Sequence, residues 1–205
     1  MIFLPSDYKE LMKQLLKDEY SLFIKTYEKR IARSLRVNSL KIATDDFTEI
    51  VPFHLRPVPW VKEAFYYDSS KDHPGKHLYH NLGLYYIQEA SAMAPVEALD
   101  PQPHEKILDL CAAPGGKTTQ IAAKMGGHGL LIANEIDPVR SKALIENLDR
   151  FCVTNAVVLN EKPDSLRAPL RSFFDRILVD APCSGEGMFR KDHESCKNWS
   201  LKLIE

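Results

Sequence analysis

Two short stretches carry the side chains that can do chemistry. One is Asp180-Ala181-Pro182-Cys183-Ser184-Gly185-Glu186-Gly187, a carboxylate and a thiol set apart by a proline. Asp180 can bond an exocyclic amino group or a ring N–H. Cys183 is a nucleophile or a proton-transfer group where nearby donors lower its pKa, and an inert small hydrophobe where they do not. Pro182 stiffens the approach to it. The other stretch is Asp109-Leu110-Cys111-Ala112-Ala113-Pro114-Gly115-Gly116-Lys117. Its small residues let a ligand come close to the backbone. A helix starting near Lys117 adds free N–H groups and a positive end that favour a carboxylate or phosphate. Asp109 offers an acceptor to an ammonium group. A ligand with both an amino group and a carboxylate, such as S-adenosylmethionine, satisfies both ends.

Nucleotide motifs fit less well. A P-loop needs glycine where Cys111 stands, and the dinucleotide pattern of three spaced glycines has only Gly115 and Gly116. A plain strand-to-helix turn has the same appearance. Glu135 ends the next apolar run, where an acidic side chain can accept from ribose hydroxyls or can simply cap a helix.

These residues need elements to hold them. From residue 105 the pattern is strand, helix, strand, helix, which predicts a parallel α/β sheet. Strands are expected at 106–111, 129–134, 156–160 and 174–180, with helices from about Lys117 and over 138–151. Asp180 and the glycine turn then lie at carboxyl ends of strands, where ligands bind in open α/β sheets. Ahead of this, apolar spacing predicts helices over 6–17, capped by Ser6 or Asp7, and around Tyr20–Tyr27. Strands follow at 35–40, 64–67 and 83–88, an irregular proline-rich connector at 52–60, and a helix at 90–99. The fold class is α/β, divided into an N-terminal helical and small α+β unit, 1–100, and a sheet unit, 101–205.

Composition narrows the partners. The 205 residues are 44% hydrophobic, enough for one core and a smaller attached unit. No apolar run has membrane length, and MIFLP lacks the features of a signal peptide, so a cytoplasmic protein is expected. Cys111, Cys152, Cys183 and Cys196 show no metal-site spacing, and His73, His77 and His80 read as loop histidines, so no metal is expected. The formal charge is −1, from 27 basic and 28 acidic residues, so no global field announces nucleic acid. Locally, Lys25, Lys29, Arg30, Arg33, Arg36 and Lys41 stand against Glu28 alone, as a solvated face or as a phosphate-contacting patch.

DLCAAPGGKT, ANEID and DRILVDAPCSGEGMFRK together resemble the RNA 5-cytosine methyltransferases of the Fmu/Sun (NOL/NOP/Sun) type. YYIQEASAM and SLRVNSLKI match that family's segments ahead of the sheet. The resemblance implies a Rossmann-like methyltransferase sheet that binds S-adenosylmethionine, with small-subunit ribosomal RNA as partner and a monomeric state. It places Asp109, Cys111, Ala112, Ala113, Pro114, Gly115, Gly116, Lys117, Glu135 and Asp180 at the cofactor, Glu135 on the ribose. It implies Lys117, Asp180 and Cys183 as the catalytic residues. Glu161 or Asp164 takes the adenine contact near the third strand. In the implied reaction a thiolate adds to carbon-6 of an extruded cytosine, carbon-5 accepts the methyl group, the carbon-5 proton leaves, and the thiol is eliminated. Asp180 stabilises developing charge on the base, and Cys183 assists release of the product.

The family's attacking cysteine lies in a Thr-Cys segment on a later strand, and no such segment occurs here. Four sheet strands are expected where the family has seven. The chain therefore reads as the N-terminal portion of a longer enzyme, inactive by itself. Two other readings stay open. Cys183 can be the attacker, as in DNA cytosine methyltransferases with a Pro-Cys loop. The chain can also be a non-catalytic RNA- or ribosome-binding module that keeps the cofactor fold.

Overall fold

A computed structural model of the chain describes residues 4–204. Ala32–Ala181 makes one compact unit, and the described residues on either side of it make another. The division of the sequence at residue 100 falls between the two sheets of the larger unit.

In the larger unit, β1 (Arg33–Val37), α3 (Thr44–Ile50), β2 (Leu55–Val58), β3 (Val61–Tyr67), α4 (Leu78–Asn81) and β4 (Tyr85–Ile87) come first; the flanking α1 and α2 belong to the other unit. The strands form an antiparallel sheet of order β2-β3-β1-β4. One face, carrying Leu35, Val37, Phe65 and Tyr85, closes over Phe47 and Val51. The other face, through Val61 and Ala64, packs against Ala90 and Met93 of α5 (Ala90–Leu99). β1 is thus covered on both sides. The expected strand 35–40 stops at Val37 because Asn38 turns the chain, accepting from the Leu40 N–H.

The connector expected at 52–60 is in part a strand. β2 holds Pro57 at the sheet edge, where proline's missing donor costs no ladder bond. Helix α3 was not expected, because TDDFTEI shows one buried aromatic among acids rather than an apolar stripe.

The second sheet follows: β5 (Lys106–Asp109), α6 (Gly116–Lys124), β6 (Leu130–Asn134), α7 (Pro138–Arg150), β7 (Ala156–Leu159), α8 (Pro163–Arg167) and β8 (Arg176–Leu178). All its strands are parallel, in the order β7-β6-β5-β8. The strands expected at 106–111 and 174–180 end at Asp109 and Leu178, so Cys111 and Asp180 stand on the loops beyond them. Side chains of α5 and α6 pack on Ile107, Leu131 and Leu178. Leu144 and Leu148 of α7 pack on Ala133. The opposite row, Val157, Ile132, Leu108 and Ile177, is half open, with Val157 and Ile177 exposed.

The two sheets of this unit meet at the end of α7. Its last carbonyls, Arg150 and Phe151, accept from Lys41 Nζ at 2.7 Å and Asn38 Nδ2 at 3.1 Å. A cation and an amide there suit the negative helix end. Arg150 Nη1 donates in return to the His80 carbonyl at 2.7 Å.

In the other unit, α1 (Ser6–Leu16) and α2 (Tyr20–Thr26) share a core with Phe189, with Cys196 of α9 (His193–Asn198) and with Trp199. The N-cap of α1 is Pro5, with no side-chain cap, rather than Ser6 or Asp7. Tyr8 is central. Its ring stands edge-on to Phe189 at 5.0 Å and to Trp199 at 5.4 Å, and its hydroxyl meets that of Tyr27 at 2.9 Å.

Candidate active site

The turn after β5 is held from every side. Gly115 has φ +106°, a left-handed conformation that favours glycine, and a Cβ there would lie 3.2 Å from Leu144 Cδ1. Each carbonyl from Ala112 to Gly116 accepts a hydrogen bond from the protein. Ala112 takes the Gly115 N–H at 2.8 Å, and Ala113 takes Arg140 Nη2 at 2.9 Å. Pro114 takes Asn147 Nδ2 at 2.7 Å, and Gly115 takes the Thr119 N–H at 2.9 Å. Gly116 takes Arg36 Nη2 at 2.9 Å. With the acceptors occupied and the backbone pinned, the first-turn amides of α6 are the groups left to meet an anion.

Asp109 lies beneath this turn. It is buried and accepts from Thr118 Oγ1 at 2.8 Å. Burial pushes its carboxyl up to about 6, against the pull of the Thr118 hydroxyl and the Lys117 ammonium. Burial likewise raises the Cys111 thiol, helped by Glu135 and Asp109.

Asp180 and Lys117, 63 positions apart in sequence, meet with Lys117 Nζ 2.5 Å from Asp180 Oδ2. The loop after β8 therefore opens onto the same place as the glycine turn, as expected for neighbouring strands β5 and β8. Cys183 falls in the other compact unit, where it is exposed. Its loop is tied down there by Glu186, whose Oε1 accepts from Ser184 Oγ at 2.6 Å and from Trp199 Nε1 at 2.7 Å. Burial alone would raise the Glu186 carboxyl, but those two donors hold it below its ordinary value.

Glu135, at the end of β6, provides the test for a ribose-bearing cofactor. Its Oε1 accepts from the Asp137 N–H at 3.0 Å. Its Oε2 is buried without a hydrogen bond, 3.4 Å from Arg140 Nη1. A buried carboxylate oxygen in an ion pair but without a hydrogen bond, beside a turn of tethered carbonyls and free first-turn amides, fits a ligand that brings hydroxyl donors at one end and an anion at the other. Asn134 and Asn160 lace the strand ends here. Asn134 Nδ2 donates to the Leu110 and Glu161 carbonyls, and Asn160 Nδ2 to the Glu135 carbonyl. Glu161 is the second residue beyond β7, with its N–H on Asn134 Oδ1, whereas Asp164 lies in the first turn of α8.

The family model for 16S rRNA methyltransferase RsmB/F matches residues 96–200, and that for the N-terminal domain of 16S rRNA methyltransferase RsmF matches residues 4–90. The chain belongs to the RsmB/F methyltransferase family. It is 44% identical to the ribosomal RNA small subunit methyltransferase F of Erwinia tasmaniensis, an alignment covering 100% of this chain and 45% of that protein. It is 42% identical to that of an Enterobacter species, over 98% of this chain and 44% of the other. The chain thus spans less than half the length of these curated relatives. Among solved structures it resembles a methyltransferase homologue from Pyrococcus horikoshii, with TM-score 0.77 and 32% identity over 94% of this chain and 67% of that one.

Within this RsmB/F chain, the basic stretch needs correcting. Arg36 is 2% exposed and holds the glycine turn, so it contacts no phosphate from the surface. Lys41 is exposed, but its ammonium caps α7. Sequence reasoning missed Arg36, Arg140 and Asn147 as supports of the turn. For Arg36 a signal existed: it alternates with Leu35 and Val37 in a strand that turns out to be buried on both faces. Asn147 and Arg140 lie on α7 with no mark to separate them from surface residues. Among the described residues no group of three or more His, Cys, Asp or Glu side chains could hold a metal ion, and no helix is long and apolar enough to cross a membrane.

Proposed function

We propose that this chain forms the cofactor side of an S-adenosylmethionine-dependent RNA methyltransferase, one that methylates carbon-5 of cytosine in small-subunit ribosomal RNA. The enzyme acts in the cytoplasm as a monomer, and the N-terminal part of the chain contributes to RNA binding. The observation that carries the reading is the Lys117–Asp180 pair beside a turn whose carbonyls are all tethered. Pre-set donors and a fixed carboxylate bind a charged ligand without reorganising.

The cofactor, when bound, supplies an electrophilic methyl group. The first-turn amides of α6 take its carboxylate, and Glu135 Oε2 takes its ribose hydroxyls. Cys111 to Lys117 hug the methionine part. Lys117 holds Asp180 where the carboxylate can bond the amino edge of a cytosine turned out of its stack. Cys183, on its Glu186-anchored loop, assists release of the product. The attacking thiol belongs to a Thr-Cys segment that these residues do not contain, so the chain alone binds cofactor without turning it over.

Calorimetry with S-adenosylmethionine tests this. The chain should bind it, and Glu135→Ala should weaken binding at least about tenfold by removing a charged acceptor. A folded chain that binds no cofactor, or an unchanged affinity in Glu135→Ala, defeats the reading. Covalent trapping on a fluorinated cytosine RNA by the chain itself would instead make Cys183 the attacker.

A further inference from the structure

Arg36 has a second side. Its Nη2 donates to the Gly116 carbonyl and to Thr119 Oγ1 at 2.8 Å, but its Nε is buried with no hydrogen-bond partner. Gln120 is in the same condition. It is 2% exposed, its Nε2 donates to the Met93 carbonyl and to Glu97 Oε1, and its Oε1 is buried without a partner. Both side chains line one cleft of about 270 Å³ between β1, β3 and α6, with Glu63, Ala123 and Lys124 around it and exposed Ser39 among its walls. Two buried polar atoms without partners are costly unless something completes them. One is a donor on a cation and the other a neutral acceptor, and their side chains line the same opening.

That pairing selects among ligands. A phosphate would suit Arg36 but would set its oxygens against Gln120 Oε1 and the Glu63 carboxylate. A purely apolar group would complete neither atom. The edge of a nucleobase places an acceptor next to a donor, and RNA is read through such edges on unstacked, single-stranded bases. The volume, at the small end of ligand pockets, suits a single planar heterocycle rather than a whole nucleotide.

We propose that this cleft seats an unpaired nucleobase of the RNA strand, distinct from the base being methylated, through Arg36 Nε–H and Gln120 Oε1. The inference rests on the reading of the chain as an RNA methyltransferase. Burial holds the Arg36 guanidinium down to about 10, which leaves it protonated at neutral pH and able to donate. The same guanidinium fixes the Gly116 carbonyl, so a seated base steadies the donor that pins the cofactor turn.

The test uses the whole chain and short, unstructured, fluorescently labelled oligo(U), oligo(C) and oligo(A), with an abasic RNA of equal length. Anisotropy titrations should show tighter binding of at least one base-bearing RNA than of the abasic one. Ala123→Phe, which fills the cleft, should weaken that RNA about tenfold and leave the abasic RNA unchanged. Equal loss on both RNAs would mean that the cleft holds backbone phosphate, and no loss would mean that it holds no RNA; either result overturns the inference. Should circular dichroism show that Ala123→Phe misfolds, Ser39→Trp at an exposed position is read by the same criteria. Cofactor affinity, measured in parallel by calorimetry, separates the two proposals. Normal cofactor binding with RNA indifferent to the cleft defeats this inference alone, whereas absent cofactor binding defeats the reading beneath it.

Discussion

A carboxyl group buried beneath a glycine turn is a cost to stability, and Asp109 shows its size. Burial lifts its pKa from an ordinary 3.8 to about 6. Between those values the folded chain holds the proton more tightly than the unfolded chain does. Ionised Asp109 therefore destabilises the fold in full above pH 6, and the cost is relieved as pH falls toward 4. A shift of about two units corresponds to roughly 3 kcal/mol. Asp109→Asn, which still accepts from Thr118, removes the titration. Urea unfolding of both proteins at pH 7.5 and pH 4.5 reads the effect. The stability advantage of Asp109→Asn should be largest at pH 7.5 and shrink by about 2 kcal/mol at pH 4.5. An advantage that does not change with pH would mean that the carboxyl is not desolvated in the folded state.

At the scale of elements, the end of α7 joins the two sheets of the larger unit through a very close approach. Gly83 has φ +67°, and a Cβ on it would lie 2.1 Å from the Arg150 carbonyl oxygen. Its own carbonyl accepts from Asn38 Nδ2 at 2.9 Å, the same amide that caps Phe151. Gly83→Ala adds backbone strain and pushes the α4–β4 turn off α7. It should cost about 3 kcal/mol or more, measured by denaturant unfolding. A loss below about 1 kcal/mol would show that the turn yields freely. This joint also marks the limit of sequence reading. The strands of the parallel sheet and its helices α6 and α7 were legible because their apolar periods are plain and glycine and proline punctuate them, whereas the short α8 was not. The Lys117–Asp180 pairing was not legible, because it depends on the strand order that puts β5 beside β8. Asn38, Lys41, Gly83 and Arg150 carried no such signal. Lys41 looked like one more surface cation, and its role comes from a helix end more than a hundred residues away that no local pattern announces. Pro57 misled for the opposite reason, since a proline read as a breaker is tolerated at a sheet edge.

At the scale of the molecule, helices α1 and α2 share one core with Phe189, Cys196 and Trp199, and Tyr8 holds that core together. Burial, with help from Tyr27, raises the pKa of its phenol well above the usual range, so the hydroxyl stays neutral and bonded. Tyr8→Ala removes a ring that contacts both Phe189 and Trp199, a loss of about 3–5 kcal/mol by the usual scale of aromatic truncation. Thiol chemistry localises the damage. In the folded chain Cys183 and Cys152 are exposed while Cys196 is buried beside Phe189, its Sγ 3.6 Å from the Phe189 carbonyl. Alkylation followed by mass spectrometry should label Cys183 and Cys152 quickly and Cys196 slowly. In Tyr8→Ala the Cys196 rate should rise toward theirs, because the cluster that shields it has lost its central ring. Trp199 also donates to Glu186, so loosening this core frees the loop that carries Cys183. Cys196 protection that survives Tyr8→Ala would mean that the segment after Pro182 is held by something other than the N-terminal helices.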